Sequence, residues 1–233
     1  MQAWPLPEDV PAGLELWCLP LDLAVEPTEG LRLLTSEERA RAARLRMRAD
    51  RVRFVATRGA LRRLLGARLG CDPLQLPLVT GRQGKPGLPE SWPQPPVFNV
   101  SHAGGFALMA LAPAGVIDRL GVDIEHCDRG VDTREIEASV LTLQERQGLA
   151  LDRRPDAFFH YWVGKEAALK ALGIGLAAHL PGLSVQPTPE GRVTVSHALQ
   201  GWPAVSACAL QAPTGYAAAL AWCHSHFQQE IPS

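Results

Sequence analysis

Short apolar segments recur along the chain and predict β-strands, and in one of them apolar and polar residues alternate, as expected when successive side chains face opposite sides. The first such segment spans residues 14–19. Segments 97–100 and 106–111 are predicted strands on either side of a turn at 103–105. The last part of the chain holds four more strand-like segments, at 183–185, 193–196, 205–210 and 216–222.

Helical signals fill the first long gap between these strands. Thr35 and Glu38 have the spacing of a capping box, which predicts a helix from this point to about residue 48. Asp50 is expected to cap a second helix that runs to residue 69. Gly70 can adopt the left-handed conformation that ends a helix.

A second helical region lies between the predicted strand 106–111 and the last strands. Residues 132–150 predict a helix that is interrupted by another capping box, formed by Thr142 and Glu145. Pro155 is suited to the first position of a further helix, which stops at Gly173. The pattern predicts an α+β (or α/β) protein with mixed sheets and two comparable halves, residues 1–115 and 116–233.

The segment 121–125 opens the second half and is predicted to be a strand with two acidic side chains on one face. Its apolar side chains point into the core, whereas Asp123 and Glu125 point the other way, about 7 Å apart along the backbone. Two neighbouring carboxylates repel unless a cation or a hydrogen-bond network lies between them. Mg²⁺ suits such ligands when a substrate adds phosphate oxygens. A solvated polar face explains the segment equally well on its own.

Composition narrows the possible classes of protein. In 233 residues, 46% of them hydrophobic, no apolar run approaches the roughly 20 residues that span a bilayer. The first residues lack the basic and apolar regions of a signal peptide. The five cysteines are scattered without a Cys-x-x-Cys pair, which is typical of thiols in a reducing compartment. We therefore expect a cytoplasmic protein.

The net charge of −1 hides a strongly basic block. Residues 31–68 hold 12 Arg and 3 acidic residues, so this block carries +9 and the remainder −10. Such a block predicts a polyanionic ligand, either nucleic acid or a small phosphate-rich molecule. Arg51, Arg58 and Arg62 fall on one helix face, and most of these side chains are expected to lie in solvent.

Lysine is rare in this chain and therefore informative. Only Lys85, Lys165 and Lys170 are lysines among 23 basic residues. Burial can lower the pKa of a lysine, whereas arginine stays protonated, so these three positions are candidates for chemistry. Trp162, Glu166 and Lys170 share one helix face, and Glu166 precedes Lys170 in the order that favours an ion pair.

Two short motifs are candidate phosphate contacts. The segment 81–87 is a Gly-rich turn that carries Lys85, and small residues let a phosphate approach the backbone. Ser101 and His102 lie at the end of a predicted strand. The first motif is also typical of an ordinary hairpin, and the second of a turn cap.

Together, four segments resemble the larger, pseudo-dimeric, surfactin-synthetase-activating type of 4′-phosphopantetheinyl transferase. They are Gly84-Lys85-Pro86, 98–102, 121–125 and 162–170, and with the Arg-rich helices they span residues 34–176. The combination of Gly-Val-Asp with Trp-x-x-Lys-Glu-x-x-x-Lys is specific, whereas each piece alone is not. One departure is Val163, where the family usually has Ser, Thr or Cys.

The resemblance implies two similar halves related by a pseudo-two-fold axis, with coenzyme A and Mg²⁺ bound in the cleft between them. It implies transfer of the phosphopantetheine arm to a serine of an apo acyl or peptidyl carrier protein, with release of adenosine 3′,5′-bisphosphate. A monomer is expected because one chain supplies both halves. No nucleic-acid or membrane partner is expected.

Residue roles follow from the same resemblance by position. The implied Mg²⁺ ligands are Asp123, Glu125 and Glu166. The implied coenzyme A contacts are Lys85, Ser101 and His102, with Arg41 more loosely matched and Lys170 at the pyrophosphate. Glu166 is the first candidate to accept the serine proton, and Glu145 is the second.

Two alternatives from other classes remain open at this point. An inactive carrier-binding subunit of the same fold would not need the three carboxylates. A nucleic-acid-binding module would use the Arg block and would bind in a salt-sensitive way. Neither the physiological carrier protein nor the choice between primary and secondary metabolism follows from the sequence.

Overall fold

The computed structural model describes residues 1–81, 84–89, 91–128, 130, 132–174, 180–188, 190–197 and 201–224. Its strands are β1 (Gln2–Trp4), β2 (Glu15–Pro20), β3 (Val79–Thr80), β4 (Pro86–Gly87), β5 (Val97–Ala103), β6 (Phe106–Ala112), β7 (Arg119–His126), β8 (Leu183–Pro187), β9 (Arg192–His197), β10 (Ser206–Ala209) and β11 (Tyr216–Cys223). Its helices are α1 (Thr28–Arg32), α2 (Ser36–Arg44), α3 (Arg48–Leu69), α4 (Arg134–Val140), α5 (Leu143–Leu151) and α6 (Ala157–Leu172). Two 3₁₀ turns, Pro73–Gln75 and Leu180–Gly182, complete the described elements.

The strands form two main sheets, one in each half of the chain. The first has the order β1-β2-β6-β5 and the second the order β7-β11-β10-β9-β8, while β3 and β4 form a separate two-stranded ribbon. Every described pair is antiparallel, so the prediction of mixed sheets is wrong. The two strands predicted around residues 103–105 are confirmed, and they form a hairpin in which β5 and β6 pair from Val97 opposite Ala112 to Ala103 opposite Phe106.

The core has three main parts that explain how the layers stack. Leu16 and Leu108 of the first sheet share one buried cluster with Val122 and Leu220 of the second, so the two sheets pack on each other. Helix α3 covers the other side of the first sheet, and α6 covers the other side of the second. Among the described residues, no helix has both the length and the apolar character that a membrane crossing requires.

The helix boundaries follow the predicted caps in part. Both capping boxes are present, at Thr35 with Glu38 and at Thr142 with Glu145. Asp50 lies inside the first turn of α3 and accepts a hydrogen bond from Arg53, so its predicted role as the cap is wrong. Helix α6 begins at Ala157, so the predicted start at Pro155 is also wrong.

Two of the arginines expected in solvent are buried instead. The side chain of Arg62 is 2% exposed and that of Arg58 is 8% exposed. Arg62 Nε and Arg58 Nη1 donate to the carboxylate of Glu38, at 2.8 and 3.0 Å. Arg51 pairs with Glu26. Internal ion pairs therefore neutralise part of the basic block, which weakens the argument for a nucleic-acid surface.

The second half repeats this arrangement. Glu145 is the third residue of α5, as Glu38 is of α2, and its carboxylate binds Lys165 of the following long helix. The two units share their spacing, because Thr142, Glu145 and Lys165 are separated along the chain as Thr35, Glu38 and Arg58 are. A buried glutamate that ties a short helix to a long one is thus a structural device of both halves.

Candidate active site

The two halves meet where β5 of the first half lies beside β7 of the second. Residues of both strands line a cleft of about 420 Å³ at this junction. Its wall in the first half carries basic and neutral polar groups, including Arg41, Ser101 and His102. Its wall in the second half carries three carboxylates and one lysine, from Asp123, Glu125, Glu166 and Lys170. The structure therefore brings together seven of the nine candidate residues.

Gly121 explains how helix α6 reaches the acidic strand. A Cβ atom at this position would lie 2.0 Å from the carbonyl oxygen of Ala167 and 2.6 Å from the nitrogen of Ala171. The helix backbone therefore lies directly on β7, which only glycine permits here. This close approach places Glu166 on the same wall as Asp123, although the two residues are far apart in the sequence.

Lys170 is the cation of this acidic wall. Its Nζ donates to Asp123 Oδ1 at 2.6 Å, to Ser101 Oγ at 3.0 Å and to the Val122 carbonyl oxygen at 3.2 Å. Ser101 Oγ also donates to Asp123 Oδ1, at 2.7 Å. The ion pair expected from helical spacing joins Lys170 to Glu166, but the structure pairs Lys170 with Asp123 instead. A residue of the first half, Ser101, completes the contact.

The remaining oxygen of Asp123 indicates that the site can hold a further cation. Asp123 Oδ2 is buried and has no hydrogen-bond partner, which is costly for a carboxylate oxygen. In the arrangement described, no three Asp, Glu, His or Cys side chains of the described residues are close enough to hold a metal ion jointly. The orphaned oxygen and two neighbouring carboxylates nevertheless match the hard oxygen ligands that Mg²⁺ takes. The chemistry of these donors, as distinct from their spacing, fits Mg²⁺.

Burial and mutual repulsion favour the neutral forms of two of these acids. Burial and then Asp123 raise the pKa of Glu166 to about 7, Lys170 opposes the shift, and Glu125 adds a smaller effect that raises it. Burial and Asp123 also raise the pKa of Glu125, while a hydrogen bond from Trp162 opposes the shift. A carboxyl group with a pKa near neutrality can accept and release a proton at physiological pH.

The opposite wall is suited to anionic groups. Burial, followed by Arg53 and Lys170, holds the pKa of His102 below its ordinary value, although hydrogen bonding opposes the shift. The guanidinium of Arg41 lies over the Phe54 ring, 5.0 Å from its centroid, at the edge of the cleft. Cationic and hydrogen-bonding groups therefore face the carboxylates across the cleft.

Lys85 is displaced from the position predicted for it. Its Nζ donates to the carbonyl oxygens of Leu120, at 3.2 Å, and of Lys170, at 3.0 Å, on the far side of β7 and α6. It lines a second cavity together with Arg119, whereas only its neighbours Gly84 and Pro86 line the cleft. Burial, Lys170 and Arg119 lower its pKa to about 8. We therefore do not propose Lys85 as a phosphate contact.

Glu145 is also separate from the cleft. Its side chain is 0% exposed, and Lys165 Nζ lies 2.6 Å from Oε2. The backbone nitrogens of Thr142 and Val185 donate to its two oxygens, at 2.6 and 2.8 Å. A carboxylate that is enclosed in this way cannot reach a substrate hydroxyl. The assignment of Glu145 as a proton acceptor is corrected to a structural role.

Val163, the departure from the family pattern, faces the core. It is 1% exposed and belongs to the buried cluster between α6 and the second sheet. A hydroxyl at this position would point away from the cleft, so its absence leaves the acidic wall intact.

The next residue, Gly164, gives a stability prediction. A Cβ atom there would lie 3.4 Å from the nearest atom, Val193 Cγ1, which is an ordinary contact. Gly164→Ala should therefore raise the free energy of unfolding by about 1 kcal/mol, because alanine loses less backbone entropy in a helix. Urea unfolding measures the change. A loss of stability would show that the α6–β9 contact has no room for a methyl group.

Comparison with known families gives two matches that cover both halves. A family model described as the 4′-phosphopantetheinyl transferase superfamily matches residues 119–221. A second, described as the N-terminal part of 4′-phosphopantetheinyl transferase, matches residues 26–114.

Individual proteins match over most of the chain. The 4′-phosphopantetheinyl transferase HetI of Nostoc is 33% identical over 181 residues, which cover 76% of this chain and 75% of that protein. The 4′-phosphopantetheinyl transferase Sfp of Bacillus subtilis is 25% identical over 208 residues, 85% of this chain and 86% of that protein. A solved holo-(acyl-carrier-protein) synthase from Bacillus anthracis, in complex with CoA, covers 46% of this chain and 96% of its own with 18% identity and a TM-score of 0.40.

Proposed function

The chain belongs to the 4′-phosphopantetheinyl transferase superfamily, and from this premise we propose that it modifies carrier proteins. It transfers the 4′-phosphopantetheine arm of coenzyme A to a serine of an apo acyl or peptidyl carrier protein and releases adenosine 3′,5′-bisphosphate. The observation that supports this best is the inter-half cleft, in which three carboxylates and Lys170 face Ser101, His102 and Arg41.

The acidic wall is the proposed Mg²⁺ site. Asp123, Glu125 and Glu166 would hold the ion, and the buried, unpartnered Asp123 Oδ2 supports this assignment. When bound, Mg²⁺ neutralises charge on the pyrophosphate of coenzyme A. Ser101 lies beside Asp123, and His102 and Arg41 line the first-half wall. These three side chains supply the hydrogen bonds and positive charge that the phosphates of the nucleotide need.

The reaction is displacement at the phosphorus that carries the pantetheine arm. The carrier serine oxygen forms the new P–O bond, and the bond to the oxygen of the leaving nucleotide bisphosphate breaks. Glu166 accepts the serine proton, directly or through water, because its carboxylate lines the cleft beside Asp123 and Lys170. Lys170 lies beside Asp123 and Ser101 and stabilises the negative charge that develops on the leaving group.

We propose further that the enzyme acts as a cytoplasmic monomer, divided into halves 1–115 and 116–233. One chain supplies both walls of the cleft, which supports a monomer. Along the chain, the last strand of the first sheet is β6 and the first strand of the second sheet is β7, and this change of sheet supports the division. Cys18, Cys208 and Cys223 are buried thiols, which supports a reducing compartment.

The direct test is mass spectrometry of an apo carrier protein incubated with the enzyme, coenzyme A and Mg²⁺. The wild-type chain should add the phosphopantetheine mass, and omission of Mg²⁺ should abolish the reaction. Asp123→Asn should slow it about a hundredfold or more, because one charged group of a preorganised site is lost. Arg134→Ala, an exposed change on α4, should react like the wild type.

Each alternative gives a different result in this experiment. An unmodified carrier that still binds the wild-type chain would indicate an inactive carrier-binding subunit. Salt-sensitive binding to DNA or RNA without carrier modification would indicate a nucleic-acid module. Unchanged transfer by Asp123→Asn would overturn the metal assignment and leave the transfer activity standing.

A further inference from the structure

The strands β5 and β7 lie side by side where the two halves meet, yet they belong to different sheets. Each is the edge strand of its own sheet, and no backbone ladder joins them among the described strand pairs. The outward-facing N–H and C=O groups of β7 therefore need partners from side chains, because a buried backbone group without a partner is costly.

Asn99 of β5 supplies one of these partners. Its side chain is buried, with 3% of the residue exposed, and its Oδ1 accepts a hydrogen bond from the Val122 backbone nitrogen at 2.9 Å. The carbonyl oxygen of Val122 accepts from Lys170 Nζ at 3.2 Å. The peptide groups that lead into Asp123 are thus held from the first half by Asn99 and from α6 by Lys170.

The next residue on the same side of β5 is Ser101, because side chains alternate along a strand. Ser101 Oγ donates to Asp123 Oδ1 at 2.7 Å. Two neighbouring side chains of β5 therefore bind two successive features of β7, first its backbone at Val122 and then its carboxylate at Asp123. This pairing fixes how far β7 lies along β5, as a backbone ladder does within a sheet.

We propose that Asn99 is a positioning residue that aligns Asp123 with Ser101 and Lys170 across the junction of the halves. Asn99 does not line the cleft among the residues described there, so it acts through the β7 backbone and not on the substrate. This inference rests on the proposed function, because the alignment serves the metal and pyrophosphate site.

The position requires a hydrogen-bond acceptor for the Val122 N–H, which the side-chain amide of Asn99 provides. A leucine has nearly the same size, but it offers no acceptor and would leave the Val122 N–H unpaired in a buried junction. The strand would then move to satisfy that group, and the Ser101–Asp123–Lys170 contacts would move with it. An aspartate keeps the acceptor oxygen in place, whereas a serine is too short to reach the Val122 nitrogen.

The test combines a direct measurement of the contact with a measurement of the site. The variants are Asn99→Leu, the milder Asn99→Ser and the acceptor-retaining Asn99→Asp. Leu34→Ala, a buried change in the separate cluster of α3 and its neighbours, is the control for general loss of stability. NMR reports hydrogen exchange of the Val122 amide, and titration calorimetry reports Mn²⁺ binding in the presence of coenzyme A.

Asn99→Leu and Asn99→Ser should speed Val122 exchange and weaken Mn²⁺ binding, each at least tenfold, the effect expected when a residue that orients a metal ligand is lost. Asn99→Asp should keep the Val122 amide protected. Leu34→Ala should lower the melting temperature and leave the Mn²⁺ affinity unchanged.

The possible failures can be told apart. Unchanged Val122 exchange in Asn99→Leu and Asn99→Ser would overturn the contact. Faster exchange with unchanged Mn²⁺ affinity would overturn the positioning role. A wild-type chain that binds no Mn²⁺ with coenzyme A would overturn the proposed metal site, while Val122 exchange would still decide whether Asn99 holds β7.

Discussion

Glu166→Gln is expected to lower the rate of phosphopantetheine transfer about a thousandfold, because general-base catalysis contributes roughly 10²–10⁴ to such rates. The glutamine fills nearly the same space but cannot accept the serine proton. It also removes one of the three carboxylates proposed to hold Mg²⁺. Steady-state transfer to an apo carrier protein measures the loss.

The same change is expected to stabilise the metal-free protein at alkaline pH. Burial and the neighbouring acids raise the pKa of Glu166 from its ordinary value of 4.5 to about 7, so the folded chain binds this proton more tightly than the unfolded chain does. The folded state is therefore not penalised below pH 4.5, loses stability as the pH rises toward 7, and carries the full penalty above that value. Glutamine removes a penalty on the order of 1–3 kcal/mol.

The pH dependence provides the control. Unfolding with urea in the presence of a chelator should show Glu166→Gln and the wild type alike near pH 4, with the variant more stable at pH 8. Glu135→Gln, an exposed change on α4, should alter neither the stability nor the transfer rate. Equal stabilities of Glu166→Gln and the wild type at pH 8 would show that the pKa of Glu166 is not raised in the metal-free protein.

Local signals in the sequence predicted most of the elements and the two carboxylates of β7, whereas Glu166 was added to them only by the family resemblance. Capping boxes act within one turn, so Thr35 with Glu38 and Thr142 with Glu145 could be read without knowledge of the fold. Strand alternation is also a local signal, and in β7 it placed Asp123 on the face away from Val122 and Ile124, which pack between the two sheets.

The contacts that cross the chain could not be predicted from local spacing. Lys170 pairs with Asp123 instead of Glu166 because α6 lies directly on β7, and that approach depends on Gly121. Lys85 donates to the carbonyl oxygens of Leu120 in β7 and of Lys170 near the end of α6, a position that its own Gly-rich turn does not reveal. Asn99 lies in the segment 98–102 that carries the resemblance, but its role could not be predicted, since its partner is a backbone nitrogen of the other half.

The buried ion pair of the second half gives the prediction with the largest effect on stability. Lys165 Nζ donates to Glu145 at 2.6 Å and to the carbonyl oxygens of Val140 and Leu180 at 2.9 and 2.8 Å, and both charged side chains are 0% exposed. Lys165→Met should lower the free energy of unfolding by about 3–5 kcal/mol, because it leaves the Glu145 carboxylate buried without its counter-charge. Urea unfolding with Arg134→Met as an exposed control measures the loss.

A double variant separates lost charge balance from lost packing. Glu145→Gln combined with Lys165→Met removes both charges, so it should recover part of the stability that Lys165→Met loses.

The same variants test the structural role of Glu145. Glu145→Gln, assayed at a temperature at which it is folded, should transfer phosphopantetheine within a few-fold of the wild-type rate, whereas a proton acceptor would lose about 10²-fold or more. A loss of that size in a folded Glu145→Gln protein would return Glu145 to the catalytic site, and a Lys165→Met protein as stable as the wild type would contradict the buried ion pair.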